Sequence, residues 1–435
     1  MANSKKIGWL YIWLISLIPV MIWALYMPLK FRVSDYSSIT HSLGQLFALI
    51  GVTMFAVTFI LSTRWKFLEK YFGGMDKVYN AHHILGAIAF VLLLFHPLLL
   101  VFKFIPSNIK RAAIYLLPSN SLAVNLGIIA LSGMILLMVL TLFIKLKYRT
   151  WKFSHKFLGA FFIIAFLHTL LISSDVSRNI ILRSYIIFVS SVGILAFFYS
   201  LILRSKLHKK HIYFVDSVFV KDNKFITINL KPKNEKMSFR TGQFVFITFY
   251  DRNISKEQHP FTIASDSNEH SIRLVVKSLG DYTKSLVNLK GGIVAELEGP
   301  YGNFDYHPHR NEKQVWIAGG IGITPFIGMA EHMERSNVSL AGIDLYYCVK
   351  NKEHAIYLEK FNEVASKVKG FRIIPVYSEE QGRLNVKKIV EISNGLNDKV
   401  FLLCGPENMV AEIEKQLIKN KVTNRNIHRE FFGFK

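Results

Sequence analysis

Cysteine is nearly absent: the 435 residues carry two, Cys348 and Cys404. Two thiols cannot build a disulfide framework, and both fall in the half of the chain expected to face a reducing compartment, so they are read as free thiols. Acidic residues are scarce beside basic ones, 30 against 53, for a formal charge of +23. That balance invites a polyanionic partner, but no nucleic-acid-binding motif accompanies it. Much of the charge borders long apolar runs, where anionic lipid accounts for it, so no nucleic acid is expected. Low-complexity tracts, a calcium-binding loop and an appended regulatory segment are not found either, and no calcium switch is expected.

Apolar sequence is abundant instead. The mean hydropathy is +0.29, and the apolar content concentrates in the first half. Runs of membrane-crossing length lie at 8–27, 42–62, 81–102, 121–144, 156–174 and 180–203, which gives six spans. The first exceeds a signal-peptide core and lacks a small-residue cleavage site, so it is read as an anchor. Alternate loops are basic: Lys5 and Lys6; Arg64, Lys66, Lys70 and Lys77; Lys145, Lys147, Arg149 and Lys152; Arg204, Lys206, Lys209 and Lys210. These loops are assigned to the cytoplasm. The bias is incomplete, because Lys30, Arg32, Lys103, Lys110, Arg111 and Arg178 occupy the opposite loops. An even number of spans then leaves both termini cytoplasmic in a multi-pass plasma-membrane protein whose first partner is the lipid bilayer.

Two of the apolar segments carry the same histidine pattern. His82-His83-Ile84-Leu85-Gly86 leads to His96, and His155-Lys156-Phe157-Leu158-Gly159 leads to His168. A single histidine in an apolar helix is most often a hydrogen-bonded core residue, whereas four in a matched layout point to ligation. Neutral imidazole is a common axial ligand of haem iron, and the layout fits two haems at different depths. The 14 residues from His82 to His96 return to within roughly 40° of one helix face and rise about 21 Å. His83, at 13 residues, falls about 140° off that face and is the bystander. His155 and His168 share the 13-residue spacing, so that pair requires a bulge, a kink or a long side-chain reach. Gly86 and Gly159 would let a macrocycle approach the backbone. His41 has no matched partner and is read as interfacial.

Past Leu207 the texture changes to short β-rich runs at 212–220, 225–230, 243–249, 272–276 and 294–297, which fit a small antiparallel barrel. After Gln314 the order becomes strand, glycine turn, helix, strand, helix, an α/β nucleotide-binding layout. The segment His259-Pro260-Phe261-Thr262-Ile263-Ala264-Ser265 ends a strand with an aromatic and hydroxyls. Lys277-Ser278-Leu279-Gly280-Asp281-Tyr282-Thr283 offers cationic, hydroxyl and amide donors at an expected helix start, which suits a pyrophosphate. Val315-Trp316-Ile317-Ala318-Gly319-Gly320-Ile321-Gly322-Ile323-Thr324-Pro325 runs a strand into a glycine turn and opens a helix. It departs from the spaced dinucleotide fingerprint and does not by itself establish nucleotide binding. Phe401-Leu402-Leu403-Cys404-Gly405-Pro406 is a further strand ending in a tight turn.

Together with Glu298-Gly299-Pro300-Tyr301-Gly302 and the terminal Glu430-Phe431-Phe432-Gly433-Phe434, these motifs stand in one order along nearly the whole chain. In that order they resemble the NADPH oxidase and ferric reductase superfamily. The resemblance implies a multidomain membrane protein: a six-helix transmembrane bundle at 1–206, a ferredoxin-reductase-like β-barrel FAD domain at 207–311, and an α/β NAD(P)H-binding domain at 312–435. It implies FAD on His259, Pro260, Phe261 and Thr262, with Lys277, Gly280 and Thr283 on the phosphate side. It implies NADPH on Gly319, Gly320, Gly322, Thr324 and Pro325, with Cys404, Gly405 and Pro406 toward the nicotinamide, and two haem b on His82 with His155 and His96 with His168. Phe432 and Phe434 both qualify as the aromatic that shields the flavin. A 2′-phosphate requires a fixed cation, for which Lys350 and Arg383 are the candidates.

The activity these residues imply is electron transfer from cytoplasmic NADPH through FAD and two haems to an outer acceptor, with no residue acting as acid or nucleophile. Superoxide formation from oxygen ranks ahead of ferric-chelate reduction, and a quinone or periplasmic protein acceptor comes third. An oxygen pocket beside the outer haem is not evident, since Pro97 and Leu100 follow His96; His41 and Arg32 would supply it if the first outer loop folds inward. The reading from a different class is a haem-binding membrane sensor or anchor with a degenerate reductase half.

Overall fold

In the computed structural model the described residues are 4–105, 107–144, 146–336 and 340–430; Lys145, Phe431, Phe432, Gly433 and Phe434 lie outside them. The chain divides into two compact units that meet in sequence between Leu207 and His208.

The first unit contains six helices long and apolar enough to cross a membrane: Ile7–Tyr26, Tyr36–Leu61, Met75–Phe102, Leu122–Leu142, Tyr148–Leu171 and Ile180–Leu207. At 1.5 Å per residue each reaches about 30 Å or more, the thickness of the hydrocarbon layer. In such a layer helices satisfy their own backbone groups, and apolar side chains can face outward at no cost. Leu142, Phe188 and Leu195 accordingly lie exposed, whereas Phe55, Phe59 and Phe162 are buried and meet edge to face or tilted with ring centres 5.2–5.5 Å apart. The second span is the central one, with 61% of its apolar window buried. Gly193 of the sixth span lets it lie on the second, since a Cβ there would stand 2.9 Å from Ala56. The fifth span is an unbroken α-helix from Tyr148 to Leu171, so of the bulge, kink or side-chain reach that the spacing of His155 and His168 calls for, the first two are not there.

Two loops on one side of the bundle are tied by charge. Arg32, after the first span, is buried, and its guanidinium lies 2.9 Å from the Asp175 carboxylate, between the fifth and sixth spans. It also donates to the Trp23 carbonyl at 2.8 Å and stacks on the Trp23 ring. Arg32 is therefore fixed in this contact and does not supply the free outer cation expected from the sequence.

The second unit carries two sheets. The first is antiparallel and curled, built from β1 (Lys210–Lys221), β2 (Phe225–Pro232), β3 (Phe244–Phe249), β4 (His259–Thr262), β5 (Ile272–Lys277) and β6 (Val294–Tyr301), in the order β4-β3-β6-β1-β2-β5. A bridge between Ile263 and Leu274 brings its two edges together, and Tyr213, Ile226, Ile228, Val245, Ile247 and Leu297 fill its interior.

The second sheet is parallel: β7 (Lys313–Gly319), β8 (Ile343–Val349), β9 (Phe371–Tyr377), β10 (Lys399–Cys404) and β11 (Ile427–Glu430), in the order β11-β10-β7-β8-β9. Alternation sends Trp316, Leu345 and Leu402 to one face, against Phe326 and Met329. Val315, Ile317 and Phe401 go to the other, against Val410 and Ile413. Helices on both faces explain why these strands read as continuous apolar runs. The strand order reverses between β7 and β10, and in such sheets ligands bind outside the carboxyl ends at that reversal.

Removing one member of a buried ion pair leaves an uncompensated charge. Asp175→Ala is expected to cost about 3–5 kcal/mol, read as a lower thermal transition of the detergent-solubilised protein, with the smaller loss in Arg32→Met/Asp175→Leu.

Candidate functional site

The membrane unit places its histidines by bonds between helices. His82 Nδ1 lies 2.9 Å from the Thr58 carbonyl and His96 Nδ1 2.8 Å from the Gly44 carbonyl, both on the second span. His168 Nδ1 lies 2.6 Å from the Ala123 carbonyl of the fourth span. A carbonyl oxygen only accepts, so each of these imidazoles donates from Nδ1 and keeps the lone pair on Nε2, the tautomer a metal ligand needs. The His82 and His155 rings, from the third and fifth spans, have centres 6.2 Å apart. Two imidazoles binding one metal from opposite sides through bonds of about 2 Å have ring centres about 6 Å apart. His155 is held differently: its ring stacks on Trp151 at 5.3 Å, and its Nδ1 is buried without a hydrogen-bond partner among the described residues. His83 stands beside His82, with ring centres 5.7 Å apart.

The glycines of the two histidine segments differ. A Cβ on Gly86 would make only an ordinary contact with Thr58 at 3.9 Å, whereas a Cβ on Gly159 would lie 2.3 Å from the Phe197 ring. The backbone at Gly86 is thus open to a methyl-sized group, and Phe197 fills the approach to Gly159. Among the described residues no three His, Cys, Asp or Glu side chains converge as a metal site; His82 and His155 stand ring to ring as a pair. The donor chemistry of His82, His96 and His168, a protonated Nδ1 and a free Nε2, fits haem ligation.

In the second unit, residues from both lobes line one cavity. Its wall includes Phe244, Pro260, Phe261, Thr262, Lys277 and Thr283 from the barrel side, with Ile321, Thr324 and Glu430 from the nucleotide-binding side. Five of the seven residues assigned to FAD and one of those assigned to NADPH therefore share a space. The other two have local partners: the His259 ring stacks on Tyr282 at 3.7 Å with Nε2 3.0 Å from Glu257, and the Gly280 amide donates to the Thr283 hydroxyl at 3.0 Å. The helix expected after Gly280 is short, Asp281–Ser285.

The glycine turn after β7 is a tight 3-10 turn, Gly320–Ile323, opening into the helix Thr324–Ser336. It abuts the turn after β10, backbone against backbone: a Cβ on Gly322 would lie 2.2 Å from the Cys404 carbonyl oxygen. Gly320 has φ +54°, where glycine is favoured. Both turns sit at the strand-order reversal. Cys404 is fully buried in the sheet core, and burial, assisted by the Glu430 carboxylate, pushes its thiol well above the ordinary range. Its side chain packs in the sheet core, and the adjoining Gly405 lies against the Gly319 backbone and Met409.

Comparison with known proteins follows the same division. Residues 47–166 match a ferric reductase like transmembrane component, 213–305 an FAD-binding domain and 316–415 an oxidoreductase NAD-binding domain. The chain has the NADPH oxidase and ferric reductase architecture. It is 31% identical over 119 residues to ferric reduction oxidase 8, mitochondrial, of Arabidopsis thaliana, covering 24% of this chain and 16% of that protein. It is 27% identical over 209 residues to the reductase subunit of an aromatic O-demethylase of Amycolatopsis, covering 46% and 62%. The chain thus spans less than two thirds of either relative. Among solved structures, flavohemoglobin from Malassezia yamatoensis with bound FAD and heme superposes with a TM-score of 0.53 at 14% identity, covering 92% of this chain and 98% of that one, a likeness of fold.

The chain thus joins a ferric-reductase-like transmembrane component to an FAD-binding domain and an oxidoreductase NAD-binding domain. Within this architecture, Lys350 and Arg383 follow β8 and β9 respectively, neighbours in the sheet, and both are exposed. The Glu379 amide donates to the Lys350 carbonyl at 3.0 Å, joining the two loops. His41 keeps its Nδ1 buried and without a hydrogen-bond partner among the described residues. Sequence reasoning named Phe244 only as part of a strand and Glu430 only as part of a terminal motif. Phe244 sits in a strand buried at every position, and nothing local marked which residues of that run line the cavity.

Gly322→Ala places a methyl group against the Cys404 carbonyl. The expected result is a loss of about 1–3 kcal/mol of stability together with weakened nicotinamide-nucleotide binding, measured by thermal unfolding and NADPH titration.

Proposed function

We propose that this protein moves electrons from cytoplasmic NADPH to oxygen on the opposite side of the plasma membrane, forming superoxide. FAD held in the reductase unit would supply the conversion of a hydride into single electrons, and two b-type haems held by the membrane histidines would supply one-electron chemistry across the hydrocarbon layer. The observation that carries the reading is the set of imidazoles in the third and fifth spans, three fixed through Nδ1 by carbonyls of neighbouring helices.

His82 and His155 would hold one haem, and His96 and His168 the other. The carbonyls of Thr58, Gly44 and Ala123 set the tautomer and ring direction of their partners, leaving each Nε2 free to ligate. In the reductase unit, Pro260, Phe261 and Thr262 would line the flavin, with His259 behind them on Tyr282; Lys277, Gly280 and Thr283 would take its phosphates. Gly319, Gly320, Gly322, Thr324 and Pro325 would admit the NADPH pyrophosphate, and Cys404, Gly405 and Pro406 would border the nicotinamide. Phe432 or Phe434 would cover the flavin ring, a role that fits the position of Glu430 in the cavity wall. Lys350 and Arg383 would bind the 2′-phosphate. The boundaries 1–206, 207–311 and 312–435, and the cytoplasmic placement of both termini, complete the reading, the latter supported by the basic alternate loops.

Ferric-chelate reduction is the second reading. It is favoured by the engagement of Arg32 with Asp175, which leaves His41 without the arginine an oxygen pocket would use, and by the name of the plant relative.

The deciding experiment compares superoxide dismutase-sensitive cytochrome c reduction with ferric-chelate reduction in one preparation. Dismutase-sensitive activity is expected, and dismutase-insensitive activity with strong iron reduction would transfer the assignment to the second reading. In the same protein, the pyridine haemochrome is expected to give two haems per chain, with one lost in His96→Ala or His168→Ala; retention of the Soret band after alanine at all four histidines would overturn the proposed path. For the nicotinamide site, Lys350→Ala is expected to raise KM for NADPH about 10- to 100-fold, the loss of a charge-assisted bond, while KM for NADH stays within about twofold.

A further inference from the structure

Two histidines outside these sites face each other across the two lobes of the reductase unit. His307 belongs to the short turn His307–His309 leading into β7, and His332 to the helix Thr324–Ser336. Their Nε2 atoms are 3.2 Å apart. On the far side of each ring, His307 Nδ1 lies 2.8 Å from Asp305 Oδ1 and His332 Nδ1 lies 2.7 Å from Asp266 Oδ1. A carboxylate only accepts, so each imidazole donates Nδ1–H to its aspartate and the two Nε2 lone pairs are aimed at one another. The Ser336 hydroxyl also stands 3.5 Å from His332 Nε2; between the rings the arrangement is repulsive unless a proton or a metal cation lies there.

The separation indicates which cation. Bonds of about 2.0–2.1 Å at a tetrahedral angle hold ligand nitrogens about 3.3 Å apart. An aspartate behind each ligating imidazole, fixing its tautomer and raising its basicity, is the usual support for a histidine-bound metal, and here it occurs twice. The supports are themselves fixed: Asp266 is fully buried and Asp305 nearly so. Arg335 stands 3.8 Å from the second oxygen of Asp266, and Arg240 stands 3.5 Å from that of Asp305. The Tyr306 ring lies under His307 at 4.3 Å. Side-chain exposure of 37% for His307 against 13% for His332 gives an ion access from one side.

We propose that His307 and His332 form a binding site for a divalent transition-metal ion, zinc being the probe, oriented by Asp305 and Asp266. No further His, Cys, Asp or Glu ligand converges among the described residues, so water fills the other positions and the site exchanges its ion. Because Asp266 and His307 flank the barrel and His332 rides on the helix that opens at Thr324, the ion fastens the nucleotide lobe to the flavin lobe.

The test is calorimetric titration of the full-length, detergent-solubilised protein with zinc chloride, with thermal unfolding alongside. One zinc equivalent is expected in the wild type that is missing from His307→Gln and His332→Gln, and saturating zinc is expected to raise the wild-type transition by about 5 °C and that of neither variant. Asp266→Asn is expected to keep the stoichiometry and weaken binding about 10- to 100-fold. Variants whose zinc-free transition matches the wild type's establish that the lost equivalent belongs to the pair. Equal zinc uptake in wild type and both glutamine variants, or no uptake by the wild type, would overturn the proposal and leave a shared proton between the rings.

Discussion

A hydrocarbon layer offers no water, so an imidazole N–H placed in it is stabilised by an acceptor from the protein, which three of the four matched histidines have. That constraint organises the membrane unit. Helical carbonyls already accept one backbone bond each but retain a second lone pair, and the bundle uses this spare capacity. Thr58 and Gly44 of the second span receive His82 and His96 of the third, and Ala123 of the fourth receives His168 of the fifth. The second span is consequently the most buried of the six, because it must lie against the third along its length while Gly193 of the sixth span presses on it from another side. Helix packing and imidazole orientation are thus one requirement.

The reductase unit solves a different problem, bringing a flat redox group and a long charged dinucleotide to the same place. The parallel sheet provides a crevice where its strand order reverses, and two glycine-bearing turns form its floor. The curled antiparallel sheet provides the aromatic and hydroxyl wall. The cavity between them is lined from both lobes, so each lobe contributes part of a surface that neither completes alone.

Much of this was legible in the sequence. Six apolar runs became six helices because hydrocarbon solvation acts on composition over about twenty residues and is insensitive to detail. The glycine turns were legible because backbone contact at Gly322 excludes other residues. Legibility failed where a residue's role depends on a distant partner. Arg32 looked like a free cation beside a membrane edge, and only the fold brings Asp175, far along the chain, to neutralise it. Gly159 matched Gly86 by position, but Phe197 from another helix decides what fills the space next to it. The strands β4 and β11 are four residues each, too short for a periodic signal, and they form because neighbours supply a ladder. The spacing of His155 and His168 left a bulge, a kink or side-chain reach open, and the helix that carries them is regular.

The contact between the turn after β7 and the turn after β10 has a mechanical consequence. Gly322 rests on the Cys404 carbonyl, and Gly405 approaches the Gly319 backbone beside the Met409 side chain. At Gly322 main chain meets main chain, which has no rotamers to absorb displacement. The distance between the two turns is therefore inherited from the separation of β7 and β10, which pair in parallel from Lys313 to Ala318.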